Sequence, residues 1–177
     1  MLKSLAIIGG VIAIAVAAVV IYAATRPDSF RVQRTATMAT PPDKIFPYVA
    51  GLKRWREWSP YDERDPSMKR TYEGPESGKG AVYAWDGNRN VGLGRIEILE
   101  AMPARTFVKL DFFKPFEGHN TAEITMVPKD GQTIVTWAMY GPSPYMSKLM
   151  GIFMDFDDMI GRDFAAGLAK LKAIVEK

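Results

Sequence analysis

The chain has 177 residues, 47% of them hydrophobic, with 23 basic and 20 acidic side chains, a net charge of +3 and no cysteine. Without cysteine, disulfides and thiolate metal sites are excluded. Lys3 and Arg26 supply two of the three net charges, so the rest of the chain is nearly neutral. With no block of Lys and Arg either, it does not read as a nucleic-acid binder.

The stretch from Leu5 to Ala24 contains only Leu, Ala, Ile, Gly, Val and Tyr. As a helix it would be about 30 Å long, the thickness of a bilayer core. Lys3 precedes it and Arg26-Pro27-Asp28 ends it. Residues 1–27 are therefore expected to be a single-pass membrane anchor, ahead of a domain over 28–177. A cleaved secretory signal is the competing reading, because Ala15-Val16-Ala17 offers a small-x-small cleavage pattern. The apolar run continues well past that site. The charges flanking the run do not decide its orientation. Gly9, Ala13 and Ala17 form a weak small-xxx-small ladder.

After the anchor, residues 30–38 alternate apolar and polar, as a half-buried strand does. Thr40-Pro41-Pro42-Asp43 reads as a helix start with Thr40 as cap, and Ile45, Phe46 and Val49 give that helix an apolar face. A second short helix is expected over 52–58, stopped by Ser59-Pro60. Six further strands are predicted over 68–72, 80–85, 92–100, 106–113, 119–127 and 132–140, divided by Gly, Pro and Asp turns. Ser143 and Pro144 then open a long helix as cap and first residue. Its apolar stripe includes Leu149, Ile152, Phe153, Phe156, Ile160, Phe164, Leu168 and Leu171. Such a face needs a concave partner, which an antiparallel sheet supplies.

The segment Met38-Ala39-Thr40-Pro41-Pro42-Asp43-Lys44-Ile45-Phe46, followed by Trp55-Arg56-Glu57-Trp58-Ser59-Pro60, resembles the opening of the SRPBCC superfamily, the START/Bet v 1-like and polyketide cyclase/dehydrase-like group. The resemblance spans about residues 30–175. It implies an α+β helix-grip fold, in which a curved seven-stranded antiparallel sheet wraps the C-terminal helix with an apolar cavity between them. It leaves the activity open, because members of such a fold do many things.

Catalytic signatures are sparse. Gly74-Pro75-Glu76-Ser77-Gly78-Lys79-Gly80 is one residue short of a phosphate loop and lacks the hydroxyl residue after the lysine. Gly92-Leu93-Gly94 lacks the third glycine of a dinucleotide site and precedes a strand. With one histidine and no cysteine, no metal site and no cofactor are expected. His119 could act as a base if Asp111 or Glu123 oriented it. Asp111 alternates with Leu110 and Phe112, so it points away from whichever side they line. Tyr83 is the third catalytic candidate. The candidate ligand walls are Trp55, Trp58, Tyr83, Trp85, Trp137, Met139, Met150 and Phe153, which combine large apolar area with polar tips or flexible thioethers. Trp55 and Trp58, three apart, should share a face closing one end of the grip, with Trp58 near its mouth. Asp155, Asp157, Asp158 and Asp163 read as a solvated face, with Asp158 placed to pair with Arg162.

The expected function is membrane-anchored binding of an apolar small molecule such as a lipid, isoprenoid or polyketide-like compound. A cyclase- or aromatase-like enzyme using the same cavity is the alternative. An interaction domain whose cavity is packed shut is the second. The oligomeric state is not legible from these residues.

Overall fold

The computed structural model describes residues 2–177. They pack as two compact units. One combines the N-terminal segment through Phe30 with Pro142–Phe156, and the other comprises Arg31–Gly141 and Asp157–Lys177.

In the first unit, α1 (Leu2–Thr25) is one continuous helix. Its residues 6–25 are long and apolar enough to cross a membrane, a property that signal sequences and some soluble helices share. A short helix, α4 (Tyr145–Met150), packs on α1. Its Tyr145 hydroxyl donates to the Val20 carbonyl at 3.0 Å, and its Lys148 ammonium donates to the Asp28 carboxylate.

The second unit is built on a seven-stranded antiparallel sheet in the order β1-β7-β6-β5-β4-β3-β2. The strands are β1 (Ser29–Met38), β2 (Lys69–Glu73), β3 (Val82–Asp86), β4 (Leu93–Met102), β5 (Arg105–Lys114), β6 (Gly118–Lys129) and β7 (Gln132–Pro142). Every strand expected from alternation is present, with ends that differ from the expected ones by no more than two residues. The order pairs the first strand with the last, where the Thr35 and Thr136 hydroxyls meet at 3.0 Å, and leaves β1 and β2 as the two edges. Between β1 and β2 lie α2 (Pro42–Ala50), a 3₁₀ turn η1 (Leu52–Glu57) and α3 (Tyr61–Arg64).

The inward face is set by parity. Val32 and Met38 of β1, Ile96 and Ile98 of β4, Val108 of β5, Ala122, Ile124 and Met126 of β6, and Val135 and Trp137 of β7 are all buried. The C-terminal helix α5 (Phe156–Val175) lies against this face through Phe164, Leu168 and Leu171. Gly167 permits the approach, because a Cβ there would stand 2.8 Å from Trp137 Cζ3.

Three local expectations are corrected. The C-terminal stripe is not one helix from residue 144. α4 ends at Met150 with Gly151 as its C-cap, and α5 begins only at Phe156. Phe153, on the connecting turn, is 74% exposed instead of facing the sheet. Neither expected side-chain cap forms. α2 starts after Pro41, and Thr40 instead donates to the Val175 carbonyl, which ties the first helix to the end of the last. α4 starts after Pro144 without a contribution from Ser143. The expected Asp158–Arg162 pair is present at 2.8 Å.

Candidate functional site

One end of the concave face is filled by indoles. Trp55 and Trp58 do share a face, with ring centroids 5.3 Å apart, and Trp58 meets Trp137 edge-on at 5.0 Å. Trp137 stacks on Phe164 of α5 at 4.1 Å with planes 10° apart. Both N-terminal indoles are held by backbone acceptors, Trp55 Nε1 by the Val49 carbonyl and Trp58 Nε1 by that of Tyr48. Trp58 is fully buried. It is therefore a plug under the 3₁₀ turn, not a residue at a mouth, because its N–H had to find a partner inside.

The other end is a ladder of rings across β2, β3 and β5. Register places Arg70 opposite Trp85 and Tyr72 opposite Tyr83. Tyr72 and Tyr83 stack at 5.1 Å, and Trp85 meets Phe112 edge-on at 5.8 Å. Gly94, opposite Trp85, leaves the space that the indole occupies. Tyr83, Trp85 and Met139 are buried, whereas Tyr72, Leu110 and Phe112 keep partial exposure although they point inward. Burial pushes the phenol of Tyr83 well above its ordinary range, with the charge of Asp62 adding to the shift. Tyr83 therefore stays protonated and can donate a hydrogen bond, but it is no base near neutral pH. The Tyr72 hydroxyl is buried without a hydrogen-bond partner.

Parity sends the other two catalytic candidates outward. Leu110 and Phe112 face in, so Asp111 faces out, directly across from His119. His119 Nδ1 donates to Asp111 Oδ1 at 2.7 Å, and Lys109 Nζ reaches the other oxygen at 2.9 Å. Asp111 is buried beneath these cations, while His119 is mostly exposed and also lies 3.3 Å from Glu117. The hydrogen bond that His119 donates to Asp111, opposed by partial desolvation and helped by the charge of Asp111 and by Glu117, raises the His119 pKa. Burial acts to raise the Asp111 pKa, but the hydrogen bonds from His119 and Lys109 outweigh it and leave it lowered.

These shifts give a signed expectation. A raised histidine contributes stability below its unfolded pKa, near ~6.5, and loses it as pH rises through the folded value. The lowered Asp111 contributes above about 3.9 and loses its share as pH falls. Thermal midpoints of the native chain and His119→Gln should thus differ more near pH ~5.5 than near pH ~8.5. An unchanged gap would mean that the pair is not coupled to folding.

A charged cleft of about 460 Å³ opens beside η1 and α3, lined by Lys53, Arg56, Glu57, Asp62, Glu63, Pro66 and Arg70. Its deepest cation is committed. Arg70 donates through Nε to Asp62 at 2.8 Å and through its terminal nitrogens to the carbonyls of Asp65, Pro66 and Met68. Among the described residues, no group of three or more His, Asp or Glu side chains is arranged to hold a metal ion.

The candidates thus separate. Trp55, Trp58, Tyr83, Trp85, Trp137 and Met139 belong to the sheet unit, whereas Met150 and Phe153 belong to the unit containing α1. Sequence reasoning missed Arg70 and Tyr72, although their even spacing on a strand was the available signal. It also missed Arg34 of β1, which donates to both the carbonyl and the carboxylate of Asp157 on α5.

The profile described as polyketide cyclase/dehydrase and lipid transport matches residues 29–176. A search of curated proteins found no match. Several solved structures share the fold. Protein MLL2253 from Mesorhizobium loti is 14% identical with a TM-score of 0.60, covering 83% of this chain and 97% of that one. The major latex-like protein 151 from Panax ginseng is 10% identical with a TM-score of 0.59, covering 85% and 100%. The Aha1 dimer from Colwellia psychrerythraea is 14% identical with a TM-score of 0.58, covering 83% and 96%. At such identities the likeness speaks for the fold alone.

Proposed function

The chain belongs to the polyketide cyclase/dehydrase and lipid transport family, and on that premise we propose that its sheet domain binds an apolar small molecule at the membrane to which residues 5–24 anchor it. A lipid, isoprenoid or polyketide-like compound fits the chemistry. One observation carries this reading. Tyr72, Leu110 and Phe112 line the inward side of the sheet yet retain solvent access. Apolar surface left open beside a closed core is what a ligand would cover.

A cyclase-like reading is favoured only by Tyr83, which lies on the inward face beside Arg70 and the unpartnered Tyr72 hydroxyl. A protonated phenol there would steady a developing oxyanion or deliver a proton. Asp111 and His119, on the outer face, serve neither purpose for a ligand held inside.

The test is thermal unfolding of the full chain in detergent with fatty acids, isoprenoids and polycyclic aromatics. A ligand bound only by the folded state at a hundredfold excess over Kd adds ~2.7 kcal/mol, so the midpoint should rise. Leu110→Gln should weaken the rise, and Asp111→Asn and His119→Gln should preserve it. No rise with any compound class would overturn the binding reading. Normal binding by Tyr83→Phe with turnover reduced ~10²–10⁴-fold would establish the cyclase instead.

A further inference from the structure

Residues 142–154 read Pro-Ser-Pro-Tyr-Met-Ser-Lys-Leu-Met-Gly-Ile-Phe-Met and carry a single charge, Lys148. Their large side chains are unusually open to solvent. Tyr145 is 42% exposed, Met146 63%, Phe153 74% and Met154 45%. A water-facing loop rarely concentrates such residues.

Two contacts locate this segment relative to α1, within the same compact unit. The Tyr145 hydroxyl meets the Val20 carbonyl, five residues before the end of the apolar span at Thr25. That is about 7 Å inside the span along the helix axis. Lys148 is buried along its stem, and its ammonium reaches Asp28, which is 97% exposed and lies just beyond the span. A buried stem with its charge extended toward water is how lysines sit at a membrane boundary. Tyrosine is likewise enriched at that level.

The backbone is prepared for the same place. The amides of Lys148, Gly151, Ile152, Phe153 and Met154 all donate to carbonyls between Pro144 and Met150. Ser143, at the start, donates to the Asp28 carbonyl at 2.7 Å. An irregular segment in water can leave such groups to solvent, but one entering lipid must satisfy them internally. Beyond Met154 the chain turns acidic at Asp155, Asp157 and Asp158, which would mark its return to water.

We propose that residues 144–154 are a second membrane contact, immersing Tyr145, Met146, Phe153 and Met154 in the headgroup and upper acyl region of the leaflet at the C-terminal end of α1. This rests on the anchor reading above. The occupant of the exposed patch is then the bilayer itself, reached by continuity with the apolar span. Two contacts fix both the height and the rotation of the unit at the surface, whereas one helix fixes only its attachment.

The absence of native cysteine makes the test direct. Single cysteines replacing Ile14, Met146, Phe153 and Lys129 in the full chain carry a nitroxide. The protein is reconstituted in vesicles of phosphatidylcholine with phosphatidylglycerol. Relative collision with oxygen and with a water-soluble nickel chelate reports depth. Labels at 146 and 153 should show an oxygen-to-nickel ratio several-fold above that at 129, and below that at 14. A deep label at 14 with aqueous labels at 146 and 153 overturns the second contact and leaves the anchor standing. An aqueous label at 14 overturns both. Dipolar broadening at 153 that disappears on dilution with unlabelled protein would place a second copy on the patch and also overturn the proposal.

Discussion

Phe164→Ala should be the most damaging truncation on α5, lowering stability by ~3–5 kcal/mol. Phe164 is 2% exposed, and its ring stacks on Trp137, which in turn holds Trp55 and Trp58. Removing it leaves a cavity at the point where α5 meets the sheet, and Trp137 loses the ring stacked on it. For a domain of this size the midpoint should fall by roughly 10 °C. The same change at Phe156 should cost less, since that ring is only partly buried. Lys170→Ala is the control. Its ammonium pairs with Glu63, which is 71% exposed, and such surface pairs contribute about 0–1 kcal/mol. Denaturant titration of the three variants checks the order. Equal tolerance at Phe164 and Lys170 would mean that α5 does not hold the sheet.

Gly94→Ala should be a strongly damaging enlargement. A Cβ at Gly94 would lie 2.3 Å from Trp85 Cζ2 and 2.7 Å from the Asp111 carbonyl oxygen. The indole cannot step aside freely, because its Nε1 donates to the Val91 carbonyl and Phe112 packs on its edge. The carbonyl belongs to the neighbouring strand of the sheet. Overpacking of this kind costs ~1–3 kcal/mol, and it should appear first as a changed near-ultraviolet dichroism from the displaced indole. Gly118→Ala, whose Cβ would meet only Asn120 Nδ2 at 3.6 Å, should be close to neutral. If the two variants unfold alike, the Trp85 seat over Gly94 is not a tight one.

The elements, and the alternation of the two faces along each strand, were legible along the chain. All seven strands and the gripping helix follow from local periods of two and of three to four, which each segment carries without help from its neighbours. The apolar span from Leu5 to Ala24 is legible for the same reason. Parity also stated the Asp111 question correctly: once Leu110 and Phe112 were inward, the carboxylate had to be outward. What parity could not supply was which side the sheet would close on, since that depends on where α5 packs.

What each side chain meets was set in three dimensions. Trp58 could have stood at a mouth or beneath the 3₁₀ turn, and the Tyr48 carbonyl ten residues away settled it. Thr40 had the pattern of a helix cap, but the last carbonyls of α5 competed for its hydroxyl and won. Phe153 had the right spacing for a buried stripe. The helix stopped at Met150 instead, and Phe153 falls on the turn that follows, where it is 74% exposed. Periodicity is a property of neighbours along the chain. Partnership is a property of neighbours in space, and it is set by which distant donors, acceptors and apolar faces the folded sheet brings within reach.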